Sequence, residues 1–166
     1  MRWNALGYNV FDPTEVIPEF TADVGVKKGE KVDYAIIKEG KAILLFECKS
    51  YGTNLDQVHR DQLYRYFSVT EARIGVLTDD INYRFYTDLE EPNKMDDKPF
   101  LEISLLNLDH SPIHELKKLT KSAFNIEEML PAAWELKYVR EFKRILKSQL
   151  VDPSDEFVKV LAKEAY

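Results

Sequence analysis

Five apolar residues in a row, Ala42 to Phe46, end abruptly in Glu47-Cys48-Lys49. A continuous apolar run of this kind suits a strand buried on both faces. The charges that follow therefore stand at the mouth of a buried strand and not along a solvated edge. Just upstream, Val32 to Ile37 alternates and is rich in β-branched residues, which reads as a second strand. Lys38-Glu39-Gly40 separates the two, with Gly last. A three-residue connection ending in glycine predicts a bulged hairpin built on a type I turn. In that hairpin Ile37 pairs with Lys41, and Asp33 sits opposite Leu45 and diagonal to Glu47. Period-2 alternation then puts residues 33, 45, 47 and 49 on one face. Diagonal neighbours lie roughly 7–8 Å apart, a gap that one ion can bridge. A two-residue loop would reverse the parity and send Asp33 to the face opposite Glu47.

Two carboxylates and a lysine at a sheet surface are what a hard divalent cation and an attacking water need for phosphodiester cleavage. Charges at the end of a buried strand need partners or a metal. From the residues alone two readings stay open. In one, Asp33, Glu47 and Lys49 form a metal site. In the other, Asp33 ends a strand and Glu47 with Lys49 is an ion pair. A helix is expected over about 55–69, where Gln62 and Tyr66 fall one turn apart on the same side.

Asp33, thirteen intervening residues and Glu47-x-Lys49 resemble the PD-(D/E)XK nuclease motif. Gln62-Leu-x-x-Tyr66 is similar to the Gln/Tyr signature of the RecB-like branch of that superfamily. The phrases Leu6-Gly-Tyr-Asn-Val-Phe, Val16-Ile-Pro-Glu-Phe and Lys31-Val-Asp-Tyr-Ala-Ile resemble the N-terminal nuclease domain of type I restriction enzyme restriction subunits, and small stand-alone relatives of it. This resemblance covers about residues 6–67, and from about 112 the tail is similar with weaker motifs. It implies a restriction-endonuclease-like fold in which Asp33, Glu47 and the Cys48 backbone carbonyl hold Mg²⁺ or Mn²⁺. Lys49 would orient and help deprotonate the attacking water, and offset charge on the phosphate. Gln62 and Tyr66 would face the site and contact the nucleic-acid backbone or the metal shell. The implied partners are DNA and, within a larger assembly, the methylase and specificity subunits of the restriction system. Relatives usually carry a further acid on a helix upstream of the Leu-Gly-Tyr phrase. Here Met1-Arg-Trp-Asn-Ala reads as the last turn of such a helix and holds no acid. Glu15 and Glu19 are the substitutes on offer, and both read as loop charges in a proline-bounded stretch.

Charge qualifies the nucleic-acid reading. The chain carries a formal net charge of −6, whereas nucleic-acid-binding domains are usually basic on at least one face. Lys137, Arg140, Arg144 and Lys147 recur at helical spacing and could meet phosphates, although a solvated helix face explains them as well. Tyr64, beside Tyr66, is the aromatic best placed to stack on a base. The segment Asp88 to Lys98 holds five acids against two lysines and reads as a solvated loop. The single Cys excludes an internal disulfide and fits a reducing cytoplasm. Cys48 points away from Glu47 and Lys49 and reads as a core residue. His59, His110 and His114 make no metal-ligand spacing. No apolar run is long enough for a membrane span.

Further strands are expected at about 73–78, 83–87 and 101–106. The pattern is an α/β (α+β) fold, a central mixed sheet flanked by helices, with a C-terminal helical tail. Residues 1–110 read as the nuclease-like core and 111–166 as a tail that packs on it or forms an oligomer contact. Within the tail, Ser111-Pro112 opens a helix, Asn125 caps a short one, Pro131 begins another, and Asp152-Pro153 starts the last. Val139, Phe142, Leu146 and Leu150 form an apolar stripe that needs a partner, either Leu116, Leu119 and the last helix or a second copy of the chain. The leading expectation is a metal-dependent DNA endonuclease domain. The alternative is a catalytically impaired nuclease fold that serves as a DNA-docking or assembly module.

Overall fold

The computed structural model describes residues 6–22, 31–56, 60–107 and 110–165. Met1–Ala5 and His59 lie outside the described residues. One sheet holds β1 (Val16–Phe20), β2 (Val32–Lys38), β3 (Lys41–Cys48), β4 (Ile74–Thr78), β5 (Asn82–Tyr86) and β6 (Leu101–Ser104), ordered across it as along the chain. The β3–β4 pair is parallel and the other neighbours are antiparallel. Parallel neighbours need a crossover, and α1 (Arg60–Val69) supplies it. Leu63, Tyr66 and Phe67 of α1 pack with Ala35, Leu45 and Leu77 on one face of the sheet. On the other face Ile36, Leu44, Phe46 and Val76 pack with Leu119, Phe124, Met129 and Ala133. The architecture is thus an α/β mixed sheet between helices. β1 is an edge strand, which is where Pro18 can sit without breaking a ladder.

The β2–β3 connection corrects one expectation. Lys38 pairs with Lys41 across a two-residue turn, Glu39-Gly40. Both turn residues have positive φ, 52° and 76°, the requirement of a type I′ hairpin turn. Such a turn alone would put Asp33 and Glu47 on opposite faces. A bulge reverses this: Ile37 pairs with Ala42 but Ile36 pairs with Leu44, leaving Ile43 as the extra residue of β3. Tyr34 then pairs with Phe46, so the next step of the same register sets Asp33 level with Glu47. It is Ala35, not Asp33, that faces Leu45. A run that is apolar at every position has no periodicity to mark a bulge, which is why the extra residue cannot be read from Ala42–Phe46.

The tail contains α2 (His110–Lys117), α3 (Ile126–Val151) and α4 (Asp155–Ala165). Asn125 caps α3, its side chain accepting from the Glu127 N–H at 3.0 Å. The expected break at Pro131 does not occur, and Pro131 lies inside α3. Burial of Met129 and Ala133 on either side of it holds the helix against the sheet despite one missing N–H. Within the chain the apolar stripe stays largely uncovered, which leaves a second copy as the expected partner. Leu119 is buried in the core and Leu116 borders it, but Val139, Phe142 and Leu150 are exposed, Phe142 by 63%. No helix among the described residues is long and apolar enough to cross a membrane.

Residues 88–98 are mostly exposed, as their composition suggests, but not throughout. Asp88, Met95 and Asp96 are buried. Asp88 accepts from Arg73 Nε at 2.7 Å and from the Asn93 N–H at 2.8 Å. Asp96 accepts from the Leu89 and Glu90 N–H groups and from Lys137 Nζ. Asp88 and Asp96 thus fold the loop around themselves, while Glu90, Glu91 and Asp97 stay exposed.

Candidate functional site

Asp33 and Glu47 meet at the end of the β2–β3 ladder. Asp33 Oδ2 accepts the Cys48 N–H at 2.6 Å, so the side chain of one strand closes on the backbone of the other. Glu47 is 3% exposed. Its Oε1 accepts from Lys49 Nζ at 2.6 Å, and its Oε2 is buried with no hydrogen-bond partner. Burial pushes the Glu47 carboxyl above its ordinary value. The Lys49 hydrogen bond opposes this, and the neighbouring Asp33 charge adds to it. Lys49 is held in turn by its N–H, which donates to the Thr78 carbonyl at 2.7 Å. Its side chain keeps 20% exposure, so the ammonium sits between the buried carboxylate and solvent.

A buried carboxylate oxygen without a donor is costly. A hard cation bound there would satisfy it, and the donors at hand are those Mg²⁺ accepts: few carboxylates plus a backbone carbonyl. Asp33, Glu47 and the carbonyl of Cys48 therefore fit the ion. Among the described residues no three His, Cys, Asp or Glu side chains gather as a ready cation cage, so water would complete the shell. The Cys48 thiol is pushed up to about 12, mainly by burial and then by the Asp33, Asp80 and Glu47 charges. Both causes disfavour the thiolate, the form in which a cysteine is nucleophilic.

Gln62 and Tyr66 lie one turn apart on α1 but do different things. Gln62 Nε2 donates to the Lys31 carbonyl, tying α1 to the residue that precedes β2. Tyr66 is 0% exposed within the core beneath α1 and presents no surface to a ligand. Tyr64 is half-buried and lines a depression with Asp61, Glu90, Glu91, Lys94 and Asp97, a mostly acidic setting. The basic stripe is largely committed within the chain. Lys137 pairs with Glu90 at 2.7 Å and Asp96 at 3.0 Å. Arg140 pairs with Glu102 at 2.6 Å and also donates to the Pro99 carbonyl. Arg144 pairs with Glu141 at 2.6 Å, and Lys147 is exposed on the same helix. Of the two upstream acids, Glu15 accepts from the Asn9 N–H and pairs with Lys121, near the β1 residue that pairs with Ile36. Glu19 is exposed, pairs with Lys31 at 2.8 Å, and falls between the Pro18–Tyr34 and Phe20–Val32 pairs, level with Asp33.

A third buried acid, beside Asp88 and Asp96, is Asp79. It accepts from the Ile81 and Asn82 N–H groups and from Asn82 Nδ2. Burial raises its carboxyl, but these donors and the Gly52 N–H outweigh it and hold the group below its ordinary value. Asp79 thus joins the turn after β4 to the turn after Lys49. The Asp-x-x-Asn spacing is the signal that could have marked it.

The family model described as type I restriction enzyme R protein N terminus matches residues 1–94. No curated protein matches the chain, and no solved structure does.

Proposed function

The chain belongs to the type I restriction enzyme R protein N-terminal family, and from that premise we propose that it is a metal-dependent DNA endonuclease domain. The observation that carries the reading is the pairing of Asp33 with Glu47 around an unsatisfied buried oxygen, with Lys49 at its edge. Asp33, Glu47 and the Cys48 carbonyl would hold Mg²⁺ or Mn²⁺. The ion would supply charge for the phosphoryl oxygens and lower the pKa of water. Lys49 would leave Glu47 for the scissile phosphate, orient the attacking water and offset the charge that develops on phosphorus oxygens. Gln62 would keep α1 docked beside β2 and so preserve the wall of the site. Tyr66 would support that wall from within. DNA would be the substrate, and the methylase and specificity subunits would be partners wherever the domain operates in a larger assembly.

Purified protein with Mg²⁺ or Mn²⁺ should nick supercoiled plasmid, and chelation should stop it. Lys49→Ala should abolish nicking while calorimetry still registers the ion. Asp33→Ala should remove both, because one of few carboxylate ligands is lost. Binding of DNA at low salt by a wild type that takes up no divalent ion at millimolar concentration would replace this reading with the docking module.

A further inference from the structure

The last helix lacks cover within its own chain. α4 is amphipathic, with Phe157, Val158, Val160 and Leu161 among its 11 residues, yet Val158, Val160 and Leu161 are exposed. It makes no extended contact with any other described element, α3 included. A lone helix of that length is marginal in water. The C-terminal half of α3 has the converse feature. Tyr138, Val139, Phe142, Ile145 and Leu150 leave an apolar stripe uncovered. Between Tyr138 and Leu150 that stripe runs about 18 Å, against about 16 Å for α4. Where the two helices meet, Leu150, Phe157, Val158 and Leu161 line an open apolar groove.

The joint keeps α4 off its own stripe. The Asp152 N–H donates to the Ser148 carbonyl at 2.9 Å, and the Ser154 N–H donates to Gln149 Oε1 at 2.8 Å. Ser154 Oγ then caps α4 by accepting the Phe157 N–H at 3.3 Å, and Pro153 fixes its own φ. The stripe on another copy is free of this restraint. Charge sets the direction of pairing. Lys143 and Lys147 stand toward the end of α3, and Asp155 and Glu156 in the first turn of α4. All four are exposed and have no ion-pair partner among the described residues. Laid antiparallel, α4 brings its acidic end over the basic end of α3. With Leu161 over Phe142, the same register sets Phe157 over Leu146 and Glu156 beside Lys147.

We propose that two copies of the chain exchange α4, each helix lying antiparallel along α3 of the other copy. Reciprocal exchange closes as a two-fold dimer. The two contacts together bury on the order of 1,200 Å², the lower end for a specific interface. Association is therefore weak, with a Kd on the order of 10 μM, and the dilute chain is a monomer. The contact is independent of the nuclease reading.

Sedimentation velocity of the full chain from about 1 to 200 μM, which brackets that Kd, should show monomer passing to dimer. Phe142→Glu on α3 and Leu161→Glu on α4 should each stay monomeric across the range. Both sites are exposed, and circular dichroism checks that each variant folds. Cysteine pairing then tests the exchange itself. Oxidised at dimer concentrations, the double variant Phe142→Cys/Leu161→Cys should run as a covalent dimer on a non-reducing gel. Each single variant should cross-link no more than wild type, which carries Cys48 alone. A wild type that stays monomeric or grows into open polymers overturns the proposal. So does dissociation by only one of the two glutamate variants, a single-cysteine variant that cross-links to itself, or a double variant that forms no cross-link or closes its disulfide within one chain.

Discussion

Replacing Glu47 by glutamine separates a metal site from a structural ion pair. At neutral pH the wild-type carboxylate is almost wholly enclosed, and one oxygen has no donor. Its folded pKa lies above the ordinary 4.5. The stabilising proton is thus fully bound below the unfolded value and lost as pH rises through the folded one, so the charge is a net cost at pH 7. Glutamine removes that cost. Against this, a lysine left wholly buried and unpaired would cost about 3–5 kcal/mol. Lys49 keeps 20% exposure, so its ammonium can turn to water and most of that penalty disappears. The expected net effect without metal is a change within about 1 kcal/mol, or roughly 2–4 °C in Tm for a chain of this size. The gap from wild type should close as pH falls below about 4.5, where both side chains are neutral. With Mn²⁺ at about 100 times its Kd, wild type should gain about 2.7 kcal/mol, or roughly 5–10 °C, and Glu47→Gln should gain nothing. Scanning calorimetry at pH 7 with metal and with chelator measures both. A loss above about 3 kcal/mol in the metal-free variant, or an equal metal response in the two proteins, refutes the reasoning.

Asp33→Ala should also abolish the metal response, and freeing the Cys48 N–H should cost about 1–2 kcal/mol in urea denaturation. Deleting Ile43 takes out only the unpaired residue, so the Ile37–Ala42 and Ile36–Leu44 pairs become consecutive and Asp33 stays level with Glu47; a cooperative urea transition should survive, and its loss would show that the sheet depends on the bulge itself. Asp88→Ala leaves the Arg73 guanidinium and the Asn93 N–H without their acceptor; about 3 kcal/mol should be lost at an unchanged m-value. Phe142→Glu should alter stability by less than about 0.5 kcal/mol, because the ring is 63% exposed, and a larger loss in chemical denaturation would mean that this face is covered.

Neighbouring residues made some features legible. Buried strands at β2 and β3 follow from side-chain pattern, as do the helix bearing Gln62 and Tyr66 and the Asn125 cap. The shared face of Asp33 and Glu47 was also expected, but through the wrong connection. Two departures, a shorter turn and an inserted Ile43, cancel in parity. Local rules could not see the cancellation because turn length was read from glycine position and the bulge from nothing. Pro131 was read as a boundary on propensity alone, and tertiary burial of Met129 and Ala133 overrode it.

What the sequence by itself determined is the set of chemical groups and the local period that carries them: Asp33, Glu47 and Lys49 near adjoining strand ends, and an apolar helix face to cover them. What only the tertiary structure decided is which groups meet and which are already taken. Lys137 and Arg140 look like phosphate ligands on a helical wheel, yet they close on Glu90, Asp96 and Glu102 from remote parts of the chain. Asp88 and Asp96 look like solvent-facing charges, yet they are buried acceptors. The physical reason is range. Strand alternation and helix capping act over a few residues and leave a periodic trace. Ion pairing and burial depend on where distant segments arrive, and that leaves no trace in the local pattern.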